Sequence, residues 1–144
     1  MAQLKKILLV DDDDILREAL GEQLVMTQDF DVFEAASGSE AMSRVKGELY
    51  DLVILDVGLP DTDGRELCKL MRKQGVKCPV LMLTGHDTDA DTILGLDAGA
   101  NDYVTKPIAI KDFYQTILKW IPYQKLKVKK HVYEKSEDES KSQK

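Results

Sequence analysis

Two acids placed where aliphatic runs stop are the first sign of chemistry in this chain. In Leu52-Val53-Ile54-Leu55-Asp56 four aliphatic residues lead straight into a carboxylate, and Gly58-Leu59-Pro60 follows close behind. In Lys6-Ile7-Leu8-Leu9-Val10 the run ends in Asp11, Asp12, Asp13 and Asp14. Two more short runs end in complementary groups: Pro79 to Leu83 leads to the Thr84 hydroxyl, and Asn101-Asp102-Tyr103-Val104 leads to Thr105-Lys106-Pro107. Carboxylates packed together stay ionised only with a counter-charge. An oxygen-only set suits Mg2+, which keeps several waters and takes few protein ligands. A hydroxyl that donates a hydrogen bond and a lysine point charge suit an anion beside that cation. Acids, Mg2+, hydroxyl and ammonium together fit phosphoryl transfer, where the protein positions groups and neutralises charge.

For these residues to meet, all four runs must end on one edge of a sheet. Continuous aliphatic runs read as strands buried on both faces, the pattern of a parallel sheet. After the first, Ile15, Leu16, Ala19, Leu20 and Leu24 recur at helical spacing, with Asp13 or Asp14 as N-cap. Asp31 to Ala35 reads as a short second strand. Ser37 and Glu40 then form a capping-box pattern at the head of a helix that turns Ala41 and Val45 inward. A third helix begins near Gly64 and carries Leu67, Leu70 and Met71 inward. A fourth spans 87–98, with Ile93, Leu94 and Leu96 as apolar positions and Gly99 as its stop. The last carries Ile110, Phe113, Ile117 and Trp120 or Ile121 on one stripe, ended by Pro122. Strands alternating with ten-residue helical patterns mean βαβ units with right-handed crossovers. The expected fold is therefore α/β, a doubly wound five-stranded parallel sheet in the flavodoxin-like order 2-1-3-4-5. That order brings Asp11, Asp12, Asp56, Thr84 and Lys106 to the edge where open α/β sheets place ligand chemistry. Asp56, on the central strand, is the best-surrounded acid and the expected nucleophile; the other two hold metal.

Composition narrows the class. At 144 residues the chain has the length of one domain. Residues 1–122 are expected to fold, and 123–144 read as a charged, disordered tail or the stump of a linker. A net charge of −6 argues against a nucleic-acid-binding surface. Residues 122–144 hold 7 of the 20 Lys and Arg but only 4 of the 26 Asp and Glu; their Lys125–Lys130 cluster reads as solvated chain. No apolar run approaches the ~20 residues of a membrane span, and the start lacks a secretory signal. A cytoplasmic location is expected. Cys68 and Cys78, without CxxC spacing or nearby His, read as two reduced thiols.

Four blocks, Val10-Asp11-Asp12-Asp13, Leu55 through Gly64, Leu83-Thr84-Gly85 and Tyr103-Val104-Thr105-Lys106-Pro107, closely resemble the receiver domain of bacterial two-component response regulators. The resemblance covers residues 5 to about 121, with the blocks in order on four strand ends. It implies that Asp56 accepts a phosphoryl group from the phosphohistidine of a histidine kinase or phosphotransfer protein. Asp12, Asp56 and the Gly58 backbone carbonyl would ligate Mg2+, with Asp11 acting mainly through a bound water. Thr84 and Tyr103 would be the switch pair. Lys106 would bind a phosphoryl oxygen, and the Lys106–Pro107 bond is typically cis. His86 would overhang the phosphoryl group and, with the open space at Gly58, tune its hydrolysis.

The function so implied is a phosphorylation-activated signalling switch whose only chemistry is self-directed. Its output surface would be the 87–98 helix, the fifth strand and the last helix. The run Ile93 to Tyr103 looks most like the subfamily with winged-helix DNA-binding output, whose members dimerise through that surface; Asp97 and Asp102 match its acidic positions. The last helix departs from the pattern, with Ile108 in place of the usual Phe and without the usual Arg residues. No DNA-binding module is expected after residue 122. One rival is a phosphate-independent protein-interaction module. A second, a haloacid-type Mg2+-dependent phosphohydrolase, would need a substrate-selecting cap, and no insertion could supply one. A flavodoxin-like nucleotide binder would need a Gly/Ser/Thr-rich loop where four acids stand.

Overall fold

The aliphatic runs pair side by side in a single sheet. The structure, a computed structural model, describes residues 4–85 and 96–121. Its strands are β1 (Lys5–Val10), β2 (Phe30–Ala35), β3 (Leu52–Asp56), β4 (Val80–Thr84) and β5 (Asp102–Thr105). All neighbours are parallel, in the order β2-β1-β3-β4-β5. The doubly wound order expected from the βαβ alternation is the one observed. Strand bounds shift by a residue or so: β2 begins at Phe30, β4 ends at Thr84, and β5 ends at Thr105.

Side chains of a strand alternate between faces, and each face carries its own core. Leu8, Val10, Val53, Leu55 and Met82 pack with Ala41 of α2 (Gly38–Gly47) and with Leu67, Cys68 and Met71 of α3 (Gly64–Lys73). Ile7, Leu9, Leu52, Ile54 and Leu83 pack on the other face, with Leu20 and Leu24 of α1 (Asp14–Met26) and Phe113 and Ile117 of α4 (Ile110–Trp120). β1, β3 and β4 are sandwiched between these layers, which is why Ile7–Val10, 52–55 and 80–83 are unbroken apolar runs. Cys68 is buried, Cys78 half-buried, and both are free thiols.

Several helix residues face the other way from the expectation. Ile15 is 82% exposed and Ala19 is exposed, while Arg17 lies buried with Leu20, Gly21 and Leu24. The first turn of α1 sits beyond the sheet edge, so its inward side is set by polar partners described below. Leu70, Leu96 and Ile110 are likewise exposed at their helix surfaces. The Ser37 cap forms as expected, its hydroxyl accepting from Glu40 N–H at 3.1 Å, while the Glu40 carboxylate accepts from Ala36 N–H at 2.8 Å. Leu96 and Asp97 are helical and Gly99 follows at φ +107°, the left-handed turn expected to stop that helix. The rest of the 87–98 helix, with Ile93, Leu94 and His86, lies outside the described residues, as do Pro122 and the tail. Among the described residues no helix is long and apolar enough to cross a membrane.

Candidate functional site

The carboxyl ends of β1, β3, β4 and β5 form one patch of sheet edge. Asp56 is the last residue of β3 and only 5% exposed; Asp11 follows β1 and is fully buried. Asp12 stands exposed at the mouth, and one carboxylate oxygen from each of the three lies within 4.8 Å of the others. Lys106 reaches back from beyond β5, past β4, to place its Nζ 3.2 Å from Asp56 Oδ1 and 3.3 Å from Asp11 Oδ2. Its own backbone is fixed by the Lys106 N–H donating to the Thr84 carbonyl at 2.7 Å. Thr84 is buried at the end of β4. The Lys106–Pro107 peptide is cis.

Local turns hold the acids in place. The Asp13 N–H donates to Asp11 Oδ1 at 2.9 Å, and the Asp13 carboxylate caps α1 by accepting from Leu16 N–H at 3.0 Å. Asp13 therefore serves the helix, and Asp14 opens it, ion-paired to Arg17 at 2.8 Å. After Asp56 the chain folds back: Gly58 and Asp63 form an antiparallel bridge, and Gly64 N–H donates to the Val57 carbonyl at 2.8 Å. Asp63 caps α3 through Arg65 N–H. Asp61 reaches across the turn to accept from Gly38 and Ser39 N–H at 2.8 and 3.0 Å. A carboxylate there meets the positive end of α2, and these two bonds hold its pKa below the ordinary range.

Charge in the patch does not balance. Burial pushes the Asp56 carboxyl above the ordinary carboxylate range; the nearby Asp11 charge adds to this, while Lys106 and the Gly58 backbone N–H oppose it. Burial also works against the Lys106 ammonium, but Asp56 and Asp11 outweigh it and raise its pKa. Among the described residues one cation thus serves two buried acids. Asp11 Oδ2 is buried and accepts no hydrogen bond from the described residues; the Lys106 ammonium lies 3.3 Å from it. An orphaned carboxylate oxygen in an all-oxygen cluster is the donor set of a hard divalent cation, and Asp11, Asp12 and Asp56 fit one.

Of the residues picked out from the sequence, Asp11, Asp12, Asp56 and Lys106 come together, with Thr84 on the adjoining strand end. Gly58 lies two residues on from Asp56, with open space where a side chain would be. Tyr103 is 38% exposed on β5, in register with Met82. His86 lies outside the described residues. Sequence reasoning missed Arg17, whose Nη1 donates to the Asp11 carbonyl at 2.7 Å. It also missed Gly64 as a close-packing position. A Cβ there would sit 2.2 Å from the Asp56 carbonyl oxygen. The only signal for Gly64 was its place in Asp-Gly at a helix start; for Arg17 it was the spacing to Asp14.

Comparison with known proteins agrees with this geometry. The family model for the response regulator receiver domain matches residues 7–118. Over 108 residues the chain is 44% identical to the alkaline phosphatase synthesis transcriptional regulatory protein PhoP of Bacillus subtilis (strain 168), covering 75% of this chain and 45% of that protein. It is 40% identical over 107 residues to the response regulator MprA of Mycolicibacterium vanbaalenii, covering 74% and 46%. The chain thus spans a little under half the length of these relatives. Among solved structures, the receiver domain of the Francisella response regulator 1452 superposes with a TM-score of 0.74 at 31% identity, over 78% of this chain and 93% of that one. DrrB, a Thermotoga maritima OmpR/PhoB homolog, gives 0.75 at 30%, over 83% and 53%. Strand order, acid cluster and family match converge: the chain belongs to the response regulator receiver domains, the signalling modules of two-component systems.

Proposed function

We propose that this chain is a phosphorylation-controlled switch, with Asp56 as the phosphoacceptor. The observation that carries the reading is the crowding of Asp56, Asp11 and Asp12 within 4.8 Å at a strand end, with the Lys106 ammonium 3.2 Å from Asp56. An Asp56 carboxylate oxygen forms an O–P bond as the P–N bond of a donor phosphohistidine breaks. The electron pair returns to the imidazole, which leaves neutral with its proton on the other nitrogen. Lys106 neutralises charge on the transferred group, and the Thr84 hydroxyl donates to one of its oxygens. Asp11, Asp12, Asp56 and the Gly58 carbonyl would hold Mg2+, which would supply the charge that lets three acids and a phosphoryl group share the site.

The donor is a histidine kinase or phosphotransfer protein, and the setting is the cytoplasm. Thr84 and Tyr103 read the new anion, and the surface of the 87–98 helix, β5 and α4 changes in response, as a face for a downstream protein or a second copy of the chain. The exposed Leu96, Tyr103 and Ile110 support a binding role for that face. One new anion contact need shift such an equilibrium by only a few kcal/mol. Water entering over Gly58 returns the acyl phosphate to carboxylate and phosphate, a step that His86 tunes.

Incubation with Mg2+ and acetyl phosphate followed by mass measurement tests this. The expected result is a gain of one phosphoryl group, absent in Asp56→Ala and longer- or shorter-lived in His86→Ala. No gain in the wild type would instead favour a phosphate-independent interaction module, multiple turnover on small phosphoesters a phosphohydrolase, and equal lifetimes would remove His86.

A further inference from the structure

The described residues bury four polar or charged side chains. Asp11, Asp56 and Thr84 belong to the site above, and the fourth is Arg17, 9% exposed. A buried guanidinium is costly unless its donors are met. Three different places meet them here. Nε donates to Glu34 Oε1 of β2 at 2.8 Å, Nη1 donates to the Asp11 backbone carbonyl at 2.7 Å, and Nη2 pairs with Asp14 Oδ1 at 2.8 Å.

Besides its own N–H on the Ala35 carbonyl, Asp11 is gripped twice more. Arg17 holds its carbonyl and the Asp13 N–H holds Oδ1 at 2.9 Å. The oxygen left over, Oδ2, is the buried one without a hydrogen bond, 3.3 Å from Lys106 Nζ. The Asp13 N–H thus sets the direction of this carboxylate within a turn that Arg17 braces from behind, through the main chain of Asp11 rather than its carboxylate. Glu34 fixes the guanidinium in turn, and Gly21 leaves room for it: a Cβ at Gly21 would lie 3.3 Å from Glu34 Oε2.

We propose that Arg17 is the positioning residue of the acid cluster, locking the Asp11–Asp14 turn in the shape that lets Asp11 and Asp12 share a divalent cation. The inference rests on the Mg2+ site of the proposed function and names what builds it. Two roles for Arg17 predict opposite signs. If the guanidinium acted only through its field, removing a positive charge near a cation site would tighten Mg2+ binding. If it positions the turn, removal weakens binding. Arg17→Lys separates the two again: it keeps the charge, but a compact ammonium cannot reproduce the planar fork to three acceptors.

The test is calorimetric titration of the EDTA-treated full chain with MgCl2, for wild type, Arg17→Met, Arg17→Lys and Leu24→Ala. The Leu24 side chain is buried in the core on the same helix, seven residues beyond Arg17, so its truncation costs stability without removing a bond to the turn. Expected are a Kd raised on the order of tenfold or more in both Arg17 variants and a wild-type Kd in Leu24→Ala. An unchanged or lower Kd in Arg17→Met overturns the proposal, as does an equal loss in Leu24→Ala. Should Arg17→Met not fold, Arg17→Lys decides on the same criterion. A wild type that binds no Mg2+ overturns the metal reading and this inference together; a wild type that binds, with unaltered Arg17 variants, overturns this inference alone.

Discussion

Among the described residues a single ammonium, that of Lys106, stands against two buried carboxylates. Burial and the Asp11 charge raise the Asp56 pKa above its ordinary value of 3.8. A raised folded-state pKa favours the protonated acid, so this contribution to stability is present at low pH and is lost as pH rises through the folded pKa. Ionised Asp56 therefore burdens the metal-free fold at pH 7. Asp56→Asn removes that charge and should stabilise the EDTA-treated protein at pH 7, on the order of 1 kcal/mol. The gain should shrink toward pH 4, as urea unfolding at the two pH values would measure; an Asn variant less stable than wild type at pH 7 contradicts the charge imbalance. Residues of this kind were legible in the sequence, because an acid, hydroxyl or ammonium directly after an aliphatic run announces its own place. Arg17 was not. An arginine between apolar helix positions reads as solvent-facing, and its burial depends on Glu34, an acid from a different element.

At the scale of elements, the segment between β3 and α3 is pinned at three points: the Gly58–Asp63 bridge, the bond from Gly64 N–H to Val57, and the grip of Asp61 on the α2 amides. Gly64 is where the return passes closest. A Cβ there would meet the Asp56 carbonyl oxygen at 2.2 Å, Val57 Cα at 2.8 Å and the Asp56 carbonyl carbon at 3.0 Å, all backbone atoms that cannot swing aside. Gly64→Ala should cost about 1–3 kcal/mol by overpacking and displace the strand end that carries Asp56. A urea midpoint equal to that of wild type would show that the loop yields freely. The four described helices were legible in position but less so in phase. Ile15, Leu70 and Ile110 continue the apolar spacing yet point to solvent. Spacing records which residues share a face, whereas the elements alongside decide how much of that face is covered. The reach of Asp61 into α2 had no local signal, since its partners lie more than twenty residues away in the chain.

For the molecule as a whole, the site is assembled from both ends of the described chain, and it exists only when β1, β3 and β5 are in their native order. A cation held by Asp11, Asp12 and Asp56 would bind the folded state alone, so Mg2+ should raise the unfolding temperature in a concentration-dependent way. At a hundred times its Kd the added stability is about 2.7 kcal/mol, reversed by EDTA and lost in Asp12→Ala. Thermal scans across a Mg2+ series check this, and a midpoint indifferent to Mg2+ would speak against the cation. The architecture itself was open to reading, because strands buried on both faces have no alternation to confuse and the βαβ order leaves few ways to wind.

Lys106 gives that architecture a mechanical property. It belongs to the edge of the sheet, yet its ammonium is moored two strands away, between Asp56 and Asp11, with β4 lying in between. Its side chain is a tether laid across the strand ends, and the chain just after β5 hangs on it. Any group attached to Asp56 must share that mooring or displace it.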